Sequence, residues 1–291
     1  MRLDELRARI RTASELDGIV RTLRALSEMR LHQGRRMFGS FLRHANEVSR
    51  ALSRGLALVP RGTVGSLAGE SRGRRALFVL GSEHGFVGGL NERVADAALA
   101  AVREDPRAIV ILAGSRLART ARDRGLASET QLRLATTVSG LERSARSLTD
   151  LVAARLARGE LAAVAVLGPR RRGEADWEVA SDPIFPLPPA VSARVSAKEP
   201  PLHYLPARTV VVRLIEEFMF SRMAGAVAEA FLSEQVARVR AMEATRKSLG
   251  EKLDELQRAE RLARQEVITS DLLEVVSGAE ALESEVEGER R

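Results

Sequence analysis

The sequence has no cysteine. Disulfides, thiol catalysis, cysteine metal ligands and a thiol switch are therefore excluded within this chain. Aromatic residues are scarce, at 3%, with one Trp and one Tyr. That argues against base stacking as a main activity. Lysine is nearly missing as well: of 46 basic residues only Lys198, Lys247 and Lys252 are not arginine. Genome composition alone is the simplest reading of that bias. No apolar run reaches about 18 residues, so no segment is expected to span a membrane. The first residues, MRLDELRARIRTASEL, carry Asp4 and Glu5 and no apolar stretch, so they do not read as a signal peptide. Proline is absent before Pro60 and after Pro206, which leaves both ends of the chain free to form long helices.

What is present fits a folded chain with long helices. Hydrophobic residues make up 45% of 291 residues, enough for one or two domains with a core. In the C-terminal part Met242, Leu249, Leu253, Leu256, Ala263 and Val267 form a heptad seam, with Glu260 as one polar interruption. Between Glu243 and Glu266, 12 of 24 residues are charged, six of each sign, mostly off that seam. A helix from about Thr209 to Glu283 would span roughly 110 Å at 1.5 Å per residue, too long for a compact domain of this size. It is expected to project and to need a partner helix or a sleeve from other chains. Glu260 is expected to face away from the partner helix.

The partner is suggested by residues 2–59. Leu3, Leu6, Ile10, Ala13, Asp17 and Val20 repeat the heptad, and Leu23, Leu26, Met37, Phe41, Val48 and Leu52 continue the stripe. Gly34 and Gly39 are candidate bends. The net charge of +7 is unevenly placed: residues 1–59 carry 12 basic and 6 acidic side chains, residues 209–291 carry 12 and 17. A basic and an acidic helix suit the two strands of one coiled coil. Exposed pairs are worth only about 0–1 kcal/mol each, so charge sets register more than stability.

The middle alternates. Residues 61–75 read as a loop. Short, continuous apolar runs at 76–82, 108–114 and 161–169 suit strands buried on both faces. Residues 132–138 are a further candidate strand, and 176–187 a candidate edge strand. Residues 83–105 read as a Gly-rich turn opening into a helix, and helices are also expected over 115–125 and 141–160. The order implies a largely parallel sheet. Seven of the ten prolines lie between Pro183 and Pro206, an extended return to the C-terminal helix. The expected organisation is an N-terminal coiled-coil helix at 1–59, a central Rossmann-like α/β domain with its Pro-rich return segment at 60–208, and a C-terminal coiled-coil helix at 209–291.

Catalytic signatures are missing. The turn GSEHGFVGGLN, residues 81–91, sits where backbone N–H groups can bind phosphate. It matches neither G-x-G-x-x-G nor the P-loop, so a tight strand-to-helix turn that needs glycine is the simpler reading. His32, His44, His84 and His203 have no metal-site spacing. Ser82, Glu83 and His84 are adjacent, but no G-x-S-x-G elbow holds them. The acids of the C-terminal helix pair with bases four residues on, as in Glu243–Lys247 and Asp254–Arg258. No catalytic, cofactor or metal site is expected, and no nucleic-acid motif accompanies the basic charge. These residues alone describe a two-helix rod on an α/β domain, and an adaptor with a ligand-binding α/β domain remains open beside other readings.

Three stretches carry a closer resemblance. Ala241-Met242, Gly250-Glu251, Leu256, Ala263-Arg264-Gln265, Ile268-Thr269 and then LLEVVSGAEAL match, without a gap, the C-terminal pattern of the gamma subunits of F-type ATP synthases. GSEHGFVGGLN resembles that family's Gly-rich turn. Arg7, Arg9-Ile10, Ile19, Arg21 and Arg30-Leu31 fall on its N-terminal pattern. Leu23 and Ala25 stand where the family has paired Met, Leu26-Ser27-Glu28 where it has Val-Ala-Ala, and Glu83-His84 where it has Asp-Arg. The Asn that usually follows Ala-Met is also lost. Such departures suggest a divergent branch, for which the N-type synthases are a candidate. The resemblance implies an antiparallel coiled coil acting as a rotating central shaft. It implies alpha and beta subunits around the shaft, and epsilon and a ring of c subunits at its foot. It implies a non-catalytic subunit of the proton-transporting ATP synthase, peripheral to the cytoplasmic side of a bacterial inner membrane. Partner contacts fall on Leu23, Arg24, Arg264, Gln265 and Thr269, and the apolar end from Leu272 through Val276 to Leu282 is expected in the hexamer's collar.

Overall fold

The computed structural model describes residues 3–60, 73–173, 176–188, 191 and 201–289, with side-chain surroundings up to residue 277. In order these form α1 (Leu3–Gly55), a 3-10 turn (Leu56–Leu58), β1 (Arg74–Leu80), α2 (Leu90–Glu104), β2 (Ile109–Ala113), α3 (Ser115–Asp123), β3 (Thr130–Leu132), α4 (Leu141–Ala157), β4 (Leu161–Arg172), β5 (Asp176–Phe185) and α5 (Ala207–Glu289). Most of the loop expected at 61–75 and much of the Pro-rich segment lie outside the described residues. The chain divides into two compact units, Ala25–Ala241, and Met1–Arg24 with Met242–Arg291.

The Ala25–Ala241 unit is built on a five-stranded sheet of order β3-β2-β1-β4-β5. β1 pairs in parallel with β2 and β4, and β2 with β3; only β5 runs antiparallel, along β4. The largely parallel sheet expected from the sequence is thus present. Alternation along β1 explains its unbroken apolar run. Ala76, Phe78 and Leu80 face a core shared with α4 and with Met219 to Leu232 of α5, and α1 adds Leu31, Phe38 and Phe41. Leu77 and Val79 face the other way, against α2 and α3. A strand covered on both faces has no polar side to show. Each large side chain fully buried here contributes about 1.5–3 kcal/mol. A third cluster joins Val48 and Leu52 of α1 and Leu56 of the 3-10 turn to Val211 and Phe218 of α5.

Three local expectations need correction. The strand at 132–138 reduces to Thr130–Leu132. After Leu132 accepts from Gly114 N–H, the next donors go to side chains: Leu134 N–H to the Glu83 carboxylate and Ala135 N–H to Ser144 Oγ. With those donors taken, the ladder cannot continue. β4, by contrast, runs past 169 through Arg170-Arg171-Arg172, because β5 pairs with it up to Arg172 opposite Asp176. Finally, α1 does not break at Gly34 or Gly39. Gly34 is instead a seat: a Cβ there would lie 2.7 Å from Cδ2 of Leu232.

The second unit pairs the start of α1 with α5 beyond Met242. On α1, Leu6, Ala13 and Val20 are buried, at 1%, 8% and 7% exposure, which is the expected heptad. On α5, Met242 and Leu256 are buried while Leu249, Leu253 and Ala263 are half-covered. Three ion pairs join the helices: Arg24–Glu243 at 3.1 Å, Asp17–Arg246 at 4.0 Å and Arg7–Glu260 at 3.2 Å. Partner numbers fall on α5 as they rise on α1, so the helices are antiparallel. Two of the three pairs place a base on α1 and an acid on α5, as the charge asymmetry suggests. Glu260 does not face away from α1: its side chain is 28% exposed and meets Arg7. A long carboxylate at a seam position is tolerated because a base on the facing helix meets it. The seam runs out soon after, since α1 begins at Leu3, and Val267 is exposed.

Apolar contact should outweigh charge in this pairing. Leu6→Ala is expected to cost about 2–5 kcal/mol, and Glu260→Gln no more than about 1 kcal/mol. Amide exchange over Met242–Val267 measures both, and equal effects of the two substitutions would overturn that ranking.

Candidate functional site

The Gly-rich turn lies where β1 ends and α2 begins. Gly81 needs its missing side chain: a Cβ would stand 2.5 Å from Leu117 Cβ and 2.8 Å from Asn91 Oδ1. That close approach lets Asn91, in the first turn of α2, reach back. Asn91 Oδ1 accepts from Ser82 N–H at 3.0 Å, and its amide donates to Ser82 Oγ at 2.8 Å. Ser82 Oγ in turn donates to the His84 carbonyl at 2.7 Å. Gly81 N–H is also taken, by the Ala113 carbonyl. With these donors occupied, the turn reads as a structural clasp rather than a phosphate cradle. Phe86 sits at its outer side with φ 63, a left-handed conformation rare outside glycine, and is 69% exposed.

Glu83 ties three segments together. Its carboxylate accepts from Ser115 Oγ at 2.6 Å, Ser115 N–H at 3.0 Å and Leu134 N–H at 3.0 Å. It therefore supplies the acceptor that the first turn of α3 lacks in its own sequence, since Gly114 precedes it. Burial works to raise the Glu83 pKa. The bonds from Ser115 and Leu134 and the nearby His84 outweigh it, so the carboxyl is held below its ordinary value.

The same turn is clipped to α5. Arg238 Nε donates to the Gly85 carbonyl at 3.3 Å, and the guanidinium also meets Gln235 Oε1 and the Glu234 carboxylate. Both ends of the Glu234–Arg238 pair are nearly sealed, at 7% and 6% side-chain exposure. Burial raises the Glu234 pKa, and Arg238 opposes the shift. The sequence gives no sign of this pair's importance, because an acid and a base four residues apart are usually solvated. Among the described residues no group of His, Asp and Glu is arranged to hold a metal ion.

The seven residues singled out from the sequence fall in two places. Leu23 and Arg24 are half-buried in the helix pair, where Arg24 meets Glu243. Arg264, Gln265, Thr269, Leu272 and Val276 are exposed on α5. Gln265, Thr269, Leu272 and Val276 step by 4-3-4 and share one face. They do not stand beside Leu23 and Arg24, because the antiparallel register brings α1 to its first turn near residue 263. A further feature comes from the structure: Leu262, Val267, Ile268, Leu272, Leu273, Val275 and Val276 are all exposed. At about 100° per residue, Val267 and Val276 project from opposite sides of the helix. Exposed apolar groups on opposite sides ask for more than one neighbour, while Glu266, Ser270, Glu274 and Ser277 keep one face polar.

Comparison with known proteins gives one consistent answer. A family model described as ATP synthase matches residues 2–282. The mitochondrial ATP synthase subunit gamma of Ipomoea batatas is 41% identical over 78 residues, 26% of this chain and 24% of that protein. The ATP synthase gamma chain of Ruminiclostridium cellulolyticum is 42% identical over 83 residues, 28% of each. The chain thus spans about a quarter of the length of these curated relatives in the matched stretches. Among solved structures, the rotor of the Euglena gracilis mitochondrial ATP synthase superposes with a TM-score of 0.61 at 14% identity, covering 91% of this chain and 98% of that one. The central stalk and c-ring structure from the Tetrahymena thermophila mitochondrial ATP synthase gives 0.55 at 14% identity, covering 78% and 98%. At that identity the likeness is one of fold.

The Glu83 strap is open to a pH test. Its folded pKa is depressed, so its stabilisation is full above the unfolded value of about 4.3 and is lost as pH falls through the folded value. Glu83→Gln should cost about 1–2 kcal/mol at pH 7, allowing for partial solvent exposure. Urea unfolding followed by fluorescence of the single Trp177 measures this. The gap between mutant and wild type should narrow below about pH 4; a gap that is the same at pH 7 and pH 3 would show that the charge plays no part.

Proposed function

Because the chain belongs to the ATP synthase gamma-subunit family, we propose that it is the central-stalk rotor of a proton-transporting ATP synthase. In this reading ion flow turns a membrane ring of c subunits, the helix pair turns with it, and the alpha/beta hexamer around the shaft makes or hydrolyses ATP. The chain performs no catalysis itself. It couples sites by contacting the hexamer differently at each angle, so that successive beta subunits favour different nucleotide states. One observation carries the proposal: α5 outruns the start of α1 and carries there a stretch, Val267 to Val276, with exposed apolar side chains on opposite sides.

That segment would sit in an apolar collar of the hexamer, with Arg264, Gln265, Thr269, Leu272 and Val276 toward the surrounding subunits. Leu23 and Arg24 would offer a second contact, further down the pair. The α/β unit would meet epsilon and the c-ring. No described helix is long and apolar enough to cross a membrane, which suits a peripheral subunit on the cytoplasmic face of a bacterial inner membrane. Torsional stiffness comes from the paired heptad seam, and a surface of mixed charge with few aromatic anchors makes tight hot spots rare.

The assembled complex tests this. Affinity purification of the full chain from its host should bring down alpha, beta and epsilon subunits. Deleting residues 273–291 should abolish or strongly reduce ATP-driven proton pumping by membranes carrying the complex. Unchanged pumping in the truncated complex, with the chain still incorporated, would sink the assignment of the apolar end.

A further inference from the structure

A groove of about 500 Å³ opens in the Ala25–Ala241 unit, between α1, the β4–β5 hairpin and α5. Its size is in the range of small-molecule sites. One wall is apolar: Phe38, Phe41 and Leu42 of α1. The other holds three arginines and two acids. Arg170 pairs with Asp182. Arg171 pairs with Glu229 at 3.1 Å and also lies over the Phe38 ring, 4.9 Å from its centre. Arg222 has no carboxylate partner among the described residues, and its Nε is buried without a hydrogen-bond partner. The groove therefore carries one uncompensated positive charge beside an aromatic and aliphatic wall.

Gly225 adds a second, independent observation. It lines the groove in the interior of α5, where glycine costs about 0.5–1 kcal/mol relative to alanine. Close packing does not require it, since a Cβ there would meet nothing within 4 Å. Its lack of a side chain leaves the groove open without serving the fold.

We propose that this groove binds a small monoanionic amphiphile, a medium-chain carboxylate in type. Its head group would accept from the Arg222 guanidinium and its chain would lie along Phe41 and Leu42. The charge balance selects this class. A second negative charge would face Asp182 and Glu229, and an uncharged ligand would leave the Arg222 charge uncompensated.

Titration calorimetry of the full chain with sodium decanoate, kept below its micelle concentration, tests the assignment. Saturable one-site binding is expected. Arg222→Gln should weaken it about 10- to 100-fold, the loss expected for a charge-assisted hydrogen bond. Gly225→Leu should abolish it by filling the groove, while the better helix former keeps or raises the urea midpoint. Decanol should bind at least tenfold more weakly than decanoate to the wild type. The exposed apolar end of α5 cannot mimic this pattern, because neither substitution touches it. Absent or non-saturable uptake of decanoate, binding unchanged in both variants, or equal binding of the alcohol would overturn the proposal. So would a wild type that ignores decanoate but loses a partner subunit on Gly225→Leu, since the groove would then belong to a protein contact.

Discussion

A helix that is apolar on more than one side must be enclosed on more than one side, and α5 imposes that constraint along most of its length. From Met219 to Leu232 it is enclosed by the sheet, α4 and the middle of α1. From Met242 to Ala263 it is covered by the start of α1. From Val267 to Val276 none of the described residues covers it. The first two enclosures fix the fold: the sheet must present a wide apolar face, and the N-terminus must return as a long helix of matching register. The third stretch leaves its apolar side chains exposed among the described residues. This progression from core to paired helix to bare helix makes one continuous element both a folding scaffold and a contact surface.

Charged groups set alignment where apolar contact cannot. The seam of the helix pair would tolerate a slip by one heptad, since its apolar steps repeat. Arg24–Glu243, Asp17–Arg246 and Arg7–Glu260 do not repeat, so together they select one register. In the larger unit, Glu83 and the Glu234–Arg238 pair hold one turn against α3, the segment after β3, and α5. These bonds join segments that hydrophobic burial alone would leave free to slide.

The legible parts of the sequence were those whose cause is local. Strands buried on both faces show as unbroken apolar runs, and the heptads of α1 and α5 show as 3-4 spacing, so the architecture could be read directly. The illegible parts depend on distant partners. β3 is short because Glu83, 51 residues away, takes the Leu134 donor. Glu260 looked like a flaw in the seam because Arg7 lies 253 residues away. Arg170 to Arg172 are strand only because β5 lies beside them. For the partner face, spacing could place Gln265, Thr269, Leu272 and Val276 on one side of a helix. Their role came from resemblance, because an exposed helix face carries no mark of what covers it.

The two edges of the sheet are poor templates for another chain. β3 offers three residues, and β5 carries Asp176, Glu178 and Asp182 with Pro183, which has no N–H to give. Strand-to-strand addition, the usual route by which mixed α/β proteins aggregate, is thus blocked at both margins. Among the described residues the apolar surface that invites self-association is instead the exposed stretch of α5 from Leu262 to Val276, and the remedy for a troublesome preparation lies there and not in the sheet.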